Sequence, residues 1–513
     1  MLAISEDQVI ERIRADNPWW DPPHEIGRRF GHMRPRAYFD LVFRLIEQRS
    51  PKRALILMGP RRVGKTVMLY QAIGRLIQAS AAPTSLCYIN VELPLYNGLG
   101  IEQFVNLARR ASGADKNGPL FFFFDEIQYL REWEVHLKTA VDAHDEIKFI
   151  ASGSAAAALR LKSNESGAGR FTDFTLPPLT FFEYLDLLGK LDLVKIEDPG
   201  ELGAGKTPKR RYGQFSAPDI DALNEQFLGY LNFGGYPEVI FSPEIQADPG
   251  RYIRSDIIDK VLLRDLPSLY GIQDIQELNS LFTSLAYNTG NEVSLEGLSQ
   301  NSGVAKNTIK KYIEYLEAAF LIKIVQRVDR AAKTFKRANF FKVYLTNPSM
   351  RSALFAPLQA DDDAMGSLVE TAIFAQWFHS PSIRLHYARW NDGEVDIVSL
   401  QNNMKPNWVV EVKWSDAYEE DPRKLKSLLH FCGDHEGCYA SVTSRTKSSV
   451  KEVNGITIEF CPASLYCFLL GYNLIRGQIA LSRLTKDESI AAPDRGSPVI
   501  PTRKKRDKRK KRG

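Results

Sequence analysis

Residues 54–77 admit few folds. Ala54-Leu-Ile-Leu-Met58 has the composition of a buried strand, and Val67 to Ile77 repeats apolar residues at helical spacing. Between them lies Gly59-Pro-Arg-Arg-Val-Gly-Lys-Thr66. Strand, glycine loop and helix in that order predict a phosphate-binding loop at the edge of an α/β sheet. Glycines let successive backbone N–H groups curl around phosphates at the positive end of a helix. On this reading Gly59, Pro60, Arg61, Arg62, Val63, Gly64, Lys65 and Thr66 bind ATP. Lys65 reaches the β- and γ-phosphates, and the Thr66 hydroxyl holds Mg²⁺.

A second match, Gly200-Glu-Leu-Gly-Ala-Gly-Lys-Thr207, lacks this context. Lys195-Ile-Glu-Asp-Pro199 before it is no buried strand, and Pro208 follows it directly. It is expected to be a solvated loop, which leaves one nucleotide site per chain.

Leu120-Phe-Phe-Phe-Phe-Asp-Glu126 reads as a buried parallel strand that delivers two carboxylates to its C-terminal edge. Asp125 is expected to hold Mg²⁺ through water and Glu126 to polarise the attacking water, which makes ATP hydrolysis the expected reaction. The next strand, Ile147-Lys-Phe-Ile-Ala-Ser152, ends in Gly153-Ser154. Ser154 is preferred to Ser152 as the strand-tip group that senses the γ-phosphate. Arg170 is a candidate for the γ-phosphate of its own or a neighbouring subunit, with a surface ion pair as the alternative. Arg254 and Arg264 are weaker candidates of the same kind.

Length and composition set the frame. At 513 residues the chain has room for roughly three domains of about 150 residues, and 44% apolar with 25% charged residues is ordinary for a globular protein. No apolar run approaches the roughly 18 residues of a membrane helix, and the N-terminus lacks signal-peptide character. Five cysteines give no disulfide framework, so a cytoplasmic location is expected. The C-x₅-C pairs Cys432/Cys438 and Cys461/Cys467 are wider than usual zinc spacing. Arg503 to Arg512 carries nine basic residues and one acidic, which leaves −3 of the overall +5 for the rest of the chain. Such a tail tracks nucleic-acid phosphates, or else serves only solubility.

Downstream, Leu295–Val304 and Ala305–Phe320 read as a helix-turn-helix whose second helix carries Lys306, Lys310 and Lys311 near its start. Ile309, Ile313, Leu316 and Phe320 line its apolar face, and Leu321–Arg327 with Phe340–Leu345 supply two wing strands. A winged helix used only for packing is the competing reading. From residue 366 a helix bears Glu370, a strand bears Asp396, and Trp408-Val-Val-Glu-Val-Lys413 puts Glu411 and Lys413 on one strand face. The order Asp396, Glu411-x-Lys413 matches the PD-(D/E)XK nuclease core, although Val395 stands where the family name has proline. Glu370, Asp396 and Glu411 can hold Mg²⁺ through oxygen, and Lys413 can orient the attacking water.

Together, G-P-R-R-V-G-K-T, F-F-D-E, S-G-S, G-R-F, the Leu176–Leu185 segment and Gly234-Gly-Tyr-Pro-Glu238 resemble one prokaryotic group of AAA-type ATPases. This group belongs to the archaeal ATPase and origin-recognition branch, and the resemblance spans about residues 15–470. It implies an α/β chain with a P-loop AAA-type ATPase core, helical lid, winged helix, and a C-terminal domain of unknown function with a restriction-endonuclease-like fold. The expected divisions are an N-terminal helical segment (1–50), the ATPase core (51–185), a lid with a loop insertion (186–275), the winged helix (276–348), a nuclease-like domain (349–475) and a disordered basic tail (476–513). The expected partner is DNA, engaged through the winged helix, nuclease-like domain and tail, with no membrane contact and homo-oligomers permitted. The rival expectation is a nucleotide-dependent switch that binds a protein partner and keeps a silent nuclease-like domain.

Overall fold

The computed structural model describes residues 5–115, 118–153, 169–196, 214–334, 340–380 and 383–490. The second glycine loop at 200–207, Ser154 and the basic run at 503–512 lie outside them. The first sheet contains β1 (Ala54–Met58), β2 (Leu86–Asn90), β3 (Leu120–Asp125), β4 (Ile147–Gly153) and β5 (Phe171–Thr175). All its pairings are parallel, in the order β2-β3-β4-β1-β5. Its strands are near-continuous apolar runs because helices cover both faces of such a sheet. Every residue of β1 is buried, and so are Phe122 to Phe124 of β3. With β4 between β1 and β3, the C-terminal tips of these three strands meet along one edge, where α1 (Lys65–Gln78) begins.

The N-terminal segment closes the β2 side of this sheet. Asn17 accepts from the Tyr88 N–H (2.6 Å) and donates to the Tyr88 carbonyl (2.8 Å), as a further strand would. The indoles of Trp19 and Trp20 both donate to the Leu86 carbonyl. Satisfying these edge groups blocks pairing with another chain. Beyond β5, α2 (Phe181–Leu187) starts at a Thr180–Glu183 capping box. A short pair, β6 (Lys195–Ile196) with β7 (Phe215–Ser216), brackets the insertion. Helices dominate from α3 (Ile220–Phe233) to Tyr270, and Gly250–Asp259 and Val261–Asp265 wind as π-helix.

The next elements run α4 (Ile275–Tyr287), β8 (Glu292–Ser294), α5 (Leu295–Ser302), α6 (Lys306–Ala318), β9 (Ile322–Val328) and β10 (Phe340–Leu345). After α7 (Met365–Trp377) come β11 (Leu385–Trp390), β12 (Gly393–Leu400), β13 (Pro406–Glu411), β14 (Tyr439–Ser444), β15 (Ser449–Val453) and β16 (Ile456–Pro462). The last helix is α8 (Ala463–Ile490). These nine strands form one sheet, ordered β15-β16-β14-β13-β12-β11-β9-β10-β8. The division expected at 348/349 is therefore no break in the backbone pairing: β9 runs parallel to β11, with Gln326 opposite His386. The tail expected from 476 is likewise corrected, because α8 carries helical structure to Ile490. Ile475 and Ile479, one turn apart, pack on the core, and Gln478 donates to the His379 carbonyl (2.7 Å).

His379, just beyond α7, lies against the first unit. Its Nδ1 is 2.8 Å from the Tyr38 hydroxyl, and it is 7% exposed. Burial, then the nearby Arg36 guanidinium, pushes its pKa from 6.5 down to about 3, against a hydrogen bond to the Pro178 backbone. The folded chain thus keeps this imidazole neutral while the unfolded chain protonates it below about pH 6.5. Stability from this group is complete above pH 6.5 and is lost as pH falls. Urea denaturation is expected to show His379→Gln losing about 2 kcal/mol less than the parent chain between pH 7 and 5. Equal losses in both proteins would contradict this.

Candidate functional site

The glycine loop follows the β1 tip, and its two glycines are required by geometry. A Cβ on Gly59 would lie 2.2 Å from the Leu176 carbonyl oxygen, and Gly64 has φ +96° at the N-cap of α1. No side chain caps this helix, so its first amides face the loop as an anion site. Lys65 is buried and folds back on the loop, donating to the carbonyls of Gly59 (3.0 Å) and Pro60 (2.8 Å). Burial lowers its pKa, with Glu126 and Asp125 opposing that shift.

Asp125 is buried at the β3 tip and collects three hydroxyls. Thr66 (2.7 Å) and Tyr88 (2.8 Å) donate to Oδ2, and Ser152 donates to Oδ1. Burial and then Glu126 raise its pKa, while the hydroxyls favour the carboxylate. Glu126 has φ +57°, a left-handed conformation uncommon for glutamate, which turns the chain immediately after the strand. Its N–H donates to Ser152 Oγ (3.3 Å), and Gln128 donates to its carboxylate. A hydroxyl beside a buried carboxylate at a helix N-terminus is a donor set that suits a nucleotide phosphate with Mg²⁺. Among the described residues, Ser152, over which Ser154 was preferred, touches the acidic pair at the strand tip. Register explains this: Phe124 pairs with Ala151, which brings Ser152 level with Asp125.

The loop arginines turn towards the helical segment that follows α3. Arg61 grips Asp265 through two bonds (2.8 and 2.9 Å) and donates to Tyr129 (3.0 Å), while Arg62 reaches Glu238 (3.1 Å) and Asp256 (3.0 Å). Asp256 and Asp265 both lie on the π-helical stretches. Arg264 pairs with Glu92 (3.4 Å) and lies over the Tyr129 ring, and Arg254 is 4.0 Å from Asp259. Arg170 is at the opposite edge. Its carbonyl accepts from the Ala54 N–H and its guanidinium pairs with Asp142. Because β5 runs parallel to β1, Arg170 is separated from the glycine loop by the length of β1, roughly 16 Å. The expected approach to its own subunit's γ-phosphate is corrected accordingly.

Behind the loop, Arg36 makes a bidentate pair with Glu183 (2.9 and 2.7 Å), with side chains 5% and 1% exposed. Its remaining nitrogen donates to Val63 of the loop (3.1 Å) and to Pro177 (2.8 Å). Neither Arg36 nor Glu183 belongs to the expected site. Only the T-F-F-E capping pattern hinted that Glu183 would be held in place.

The second constellation forms on the nine-stranded sheet. Lys413 Nζ is 2.8 Å from Glu411 and 3.7 Å from Asp396, and Asp396 accepts from the Val412 N–H (2.8 Å). Glu370 faces the same cluster from α7 but is engaged by Lys342 (3.0 Å) and the Tyr344 hydroxyl (2.5 Å), both on β10. Lys342 also reaches Glu394 (2.6 Å). Burial, then Asp396, pushes Glu411 up to about 8; burial, with Asp396 adding to it against Lys342, pushes Glu370 up to about 7. Glu411 Oε2 is buried with no hydrogen-bond partner among the described residues, so a cation beside Asp396 and Glu411 fits this donor pair. Among the described residues no three His, Cys, Asp or Glu side chains form a ready metal cage. The three expected carboxylate ligands thus divide into a pair, Asp396 with Glu411, and Glu370 bound to a lysine. Sequence reasoning missed Lys342, Tyr344 and Glu394; the one available signal was Lys342 and Tyr344 sharing a face of an otherwise apolar strand.

Residues 51–185 match the family model described as an AAA domain, and residues 224–363 match one described as a domain of unknown function. Residues 51–185 are therefore similar to AAA domains. The unknown-function match falls on the lid and the segment through β10, and it ends before Glu370. An uncharacterised protein of Haemophilus influenzae is 24% identical over 384 residues, 73% of this chain and 85% of that protein. One from Methanocaldococcus jannaschii is 23% identical over 373 residues, 71% and 75% of the two chains. Among solved structures, the Aeropyrum pernix ORC2 protein in ADPNP and ADP complexes overlaps 70% of this chain and 96% of its own, at 14% identity and a TM-score of 0.35. A Thermotoga maritima RuvB mutant overlaps 56% and 87%, at 17% identity and a TM-score of 0.26. No described helix is long and apolar enough to cross a membrane.

Proposed function

We propose that this chain hydrolyses ATP and uses the nucleotide state to control a metal-dependent DNA-cleaving site formed by Asp396, Glu411 and Lys413. The observation that carries this reading is that α7 bears Glu370 of the carboxylate cluster and also contacts α2, whose Glu183 is tied through Arg36 to Val63 of the glycine loop. Glu370 faces the carboxylates, while six residues on, about 9 Å along the helix, Gln376 is fixed to the ATPase side. Gln376 accepts from the Phe181 N–H (3.0 Å) and donates to the Tyr230 hydroxyl (2.9 Å). His379 continues this contact to Tyr38.

At the nucleotide site Lys65 exchanges its loop carbonyls for phosphate oxygens, and Glu126 orients and polarises the attacking water. Thr66 and Asp125 would hold Mg²⁺, which would supply charge neutralisation at the phosphates. Ser152 holds Asp125 and the Glu126 backbone in register with the loop. At the second site Asp396 and Glu411 would hold a divalent cation, which would supply Lewis acidity towards a phosphodiester. Lys413 places an ammonium where negative charge develops on the phosphorus oxygens.

DNA is the proposed substrate. The order helix, strand, two helices and two strands from Ile275 to Leu345 supports a winged helix, with α6 as its recognition helix. Lys306, Lys310 and Lys311 lie on its first turns, although Lys306 is paired with Glu296 and Lys310 lies 3.9 Å from Glu314. The nine basic residues of 503–512 add non-specific phosphate attraction.

The test is cleavage of single-stranded, duplex and branched DNA by the full chain with Mg²⁺ or Mn²⁺. Asp396→Ala and Lys413→Ala are each expected to lower the rate at least a hundredfold, by the usual magnitude for a preorganised charged group. No cleavage of any substrate, or cleavage unchanged in both variants, would remove the nuclease reading and leave a switch for a protein partner.

A further inference from the structure

We infer that Lys342 is a built-in cation of the carboxylate cluster, and that the cluster consequently takes one divalent metal ion, on Asp396 and Glu411. This rests on reading the cluster as a metal site. The lysine comes from β10, outside the segment that carries Glu370, Asp396, Glu411 and Lys413. Its side chain is 4% exposed, with Nζ 2.6 Å from Glu394, 3.0 Å from Glu370 and 4.0 Å from Asp396 Oδ1. The Tyr387 ring lies 5.4 Å away and adds a cation–π contact.

The two ammonium groups divide the cluster. Lys342 faces Asp396 Oδ1 and Lys413 faces Oδ2, so the two oxygens of the central carboxylate look towards different cations. On the Lys413 side Glu411 Oε2 has no hydrogen-bond partner among the described residues and is an acceptor suited to a cation. On the Lys342 side both Glu370 and Glu394 are already engaged, and Tyr344 and Arg389 (2.6 Å from Glu394) complete them. A second ion between Glu370 and Asp396 would have to displace Lys342 from three carboxylates and strand a charged amine in the interior.

The test is Mn²⁺ binding to the nucleotide-free full-length chain, counted by electron paramagnetic resonance of the free ion. Sites at the cluster are those lost in Asp396→Asn/Glu411→Gln. The parent chain is expected to lose one site in that variant. Lys342→Met, its fold checked by circular dichroism, is expected to bind one Mn²⁺ more than the parent, and Lys342→Arg the same number as the parent. Two sites lost from the parent chain, or no gain in a folded Lys342→Met, would overturn the inference while leaving the metal-site reading intact. If Lys342→Met fails to fold, the parent and Lys342→Arg counts still decide, since two cluster sites in either would overturn it. No site lost from the parent would overturn the metal-site reading itself, and this inference with it.

Discussion

Replacing Lys65 with alanine is expected to lower ATP turnover by about 10²–10³-fold, the usual effect of deleting a preorganised donor to developing charge. The ammonium is already desolvated and rests on the carbonyls of Gly59 and Pro60, so it meets the phosphates without first shedding water. Glu126→Gln should separate binding from chemistry. The amide keeps the size of the side chain at its left-handed backbone position but cannot take a proton, so kcat falls about 10²–10⁴-fold while ATP stays bound. Steady-state phosphate release and equilibrium binding of a labelled triphosphate measure the two effects. Normal turnover by Lys65→Ala would remove the glycine loop from the account.

Arg36→Met is expected to destabilise the first unit by about 3–5 kcal/mol, because it strands a buried carboxylate. Glu183 is 1% exposed and is held by both arms of the guanidinium, whose third nitrogen ties α2 to the glycine loop through Val63. The double variant Arg36→Met/Glu183→Met removes the uncompensated charge and should recover much of the loss. Urea denaturation of the parent and both variants checks this. A loss below about 1 kcal/mol in Arg36→Met would place this pair with ordinary surface ion pairs.

What was legible in the sequence was local chemistry. The 54–77 segment and the Phe121–Glu126 strand carry their function in contiguous residues, and the geometry assembles both at one sheet edge. What was not legible depended on strand register and direction. Ser152 gains its place beside Asp125 only through the Phe124–Ala151 pairing, which no local pattern announces. Arg170 would approach its own subunit's nucleotide only if β5 ran the other way. Lys342 precedes Glu370 by 28 residues and enters the cluster only because β9 joins β11, a long-range pairing with no local signal. The end of the last helix was misread because Ile475 and Ile479 lie within a stretch that grows steadily more polar.

The central claim is that nucleotide state reaches the Asp396–Glu411–Lys413 cluster through α7. The most direct test is single-turnover DNA cleavage by the full chain, comparing ATP-loaded Glu126→Gln with the ADP-loaded parent. Coupling of the usual 1–3 kcal/mol predicts rates that differ about 5–150-fold, and Gln376→Leu, which cuts the link to Phe181 and Tyr230, should shrink that ratio towards one. Equal rates in the two nucleotide states, with Asp396→Ala still abolishing cleavage, would contradict the coupling.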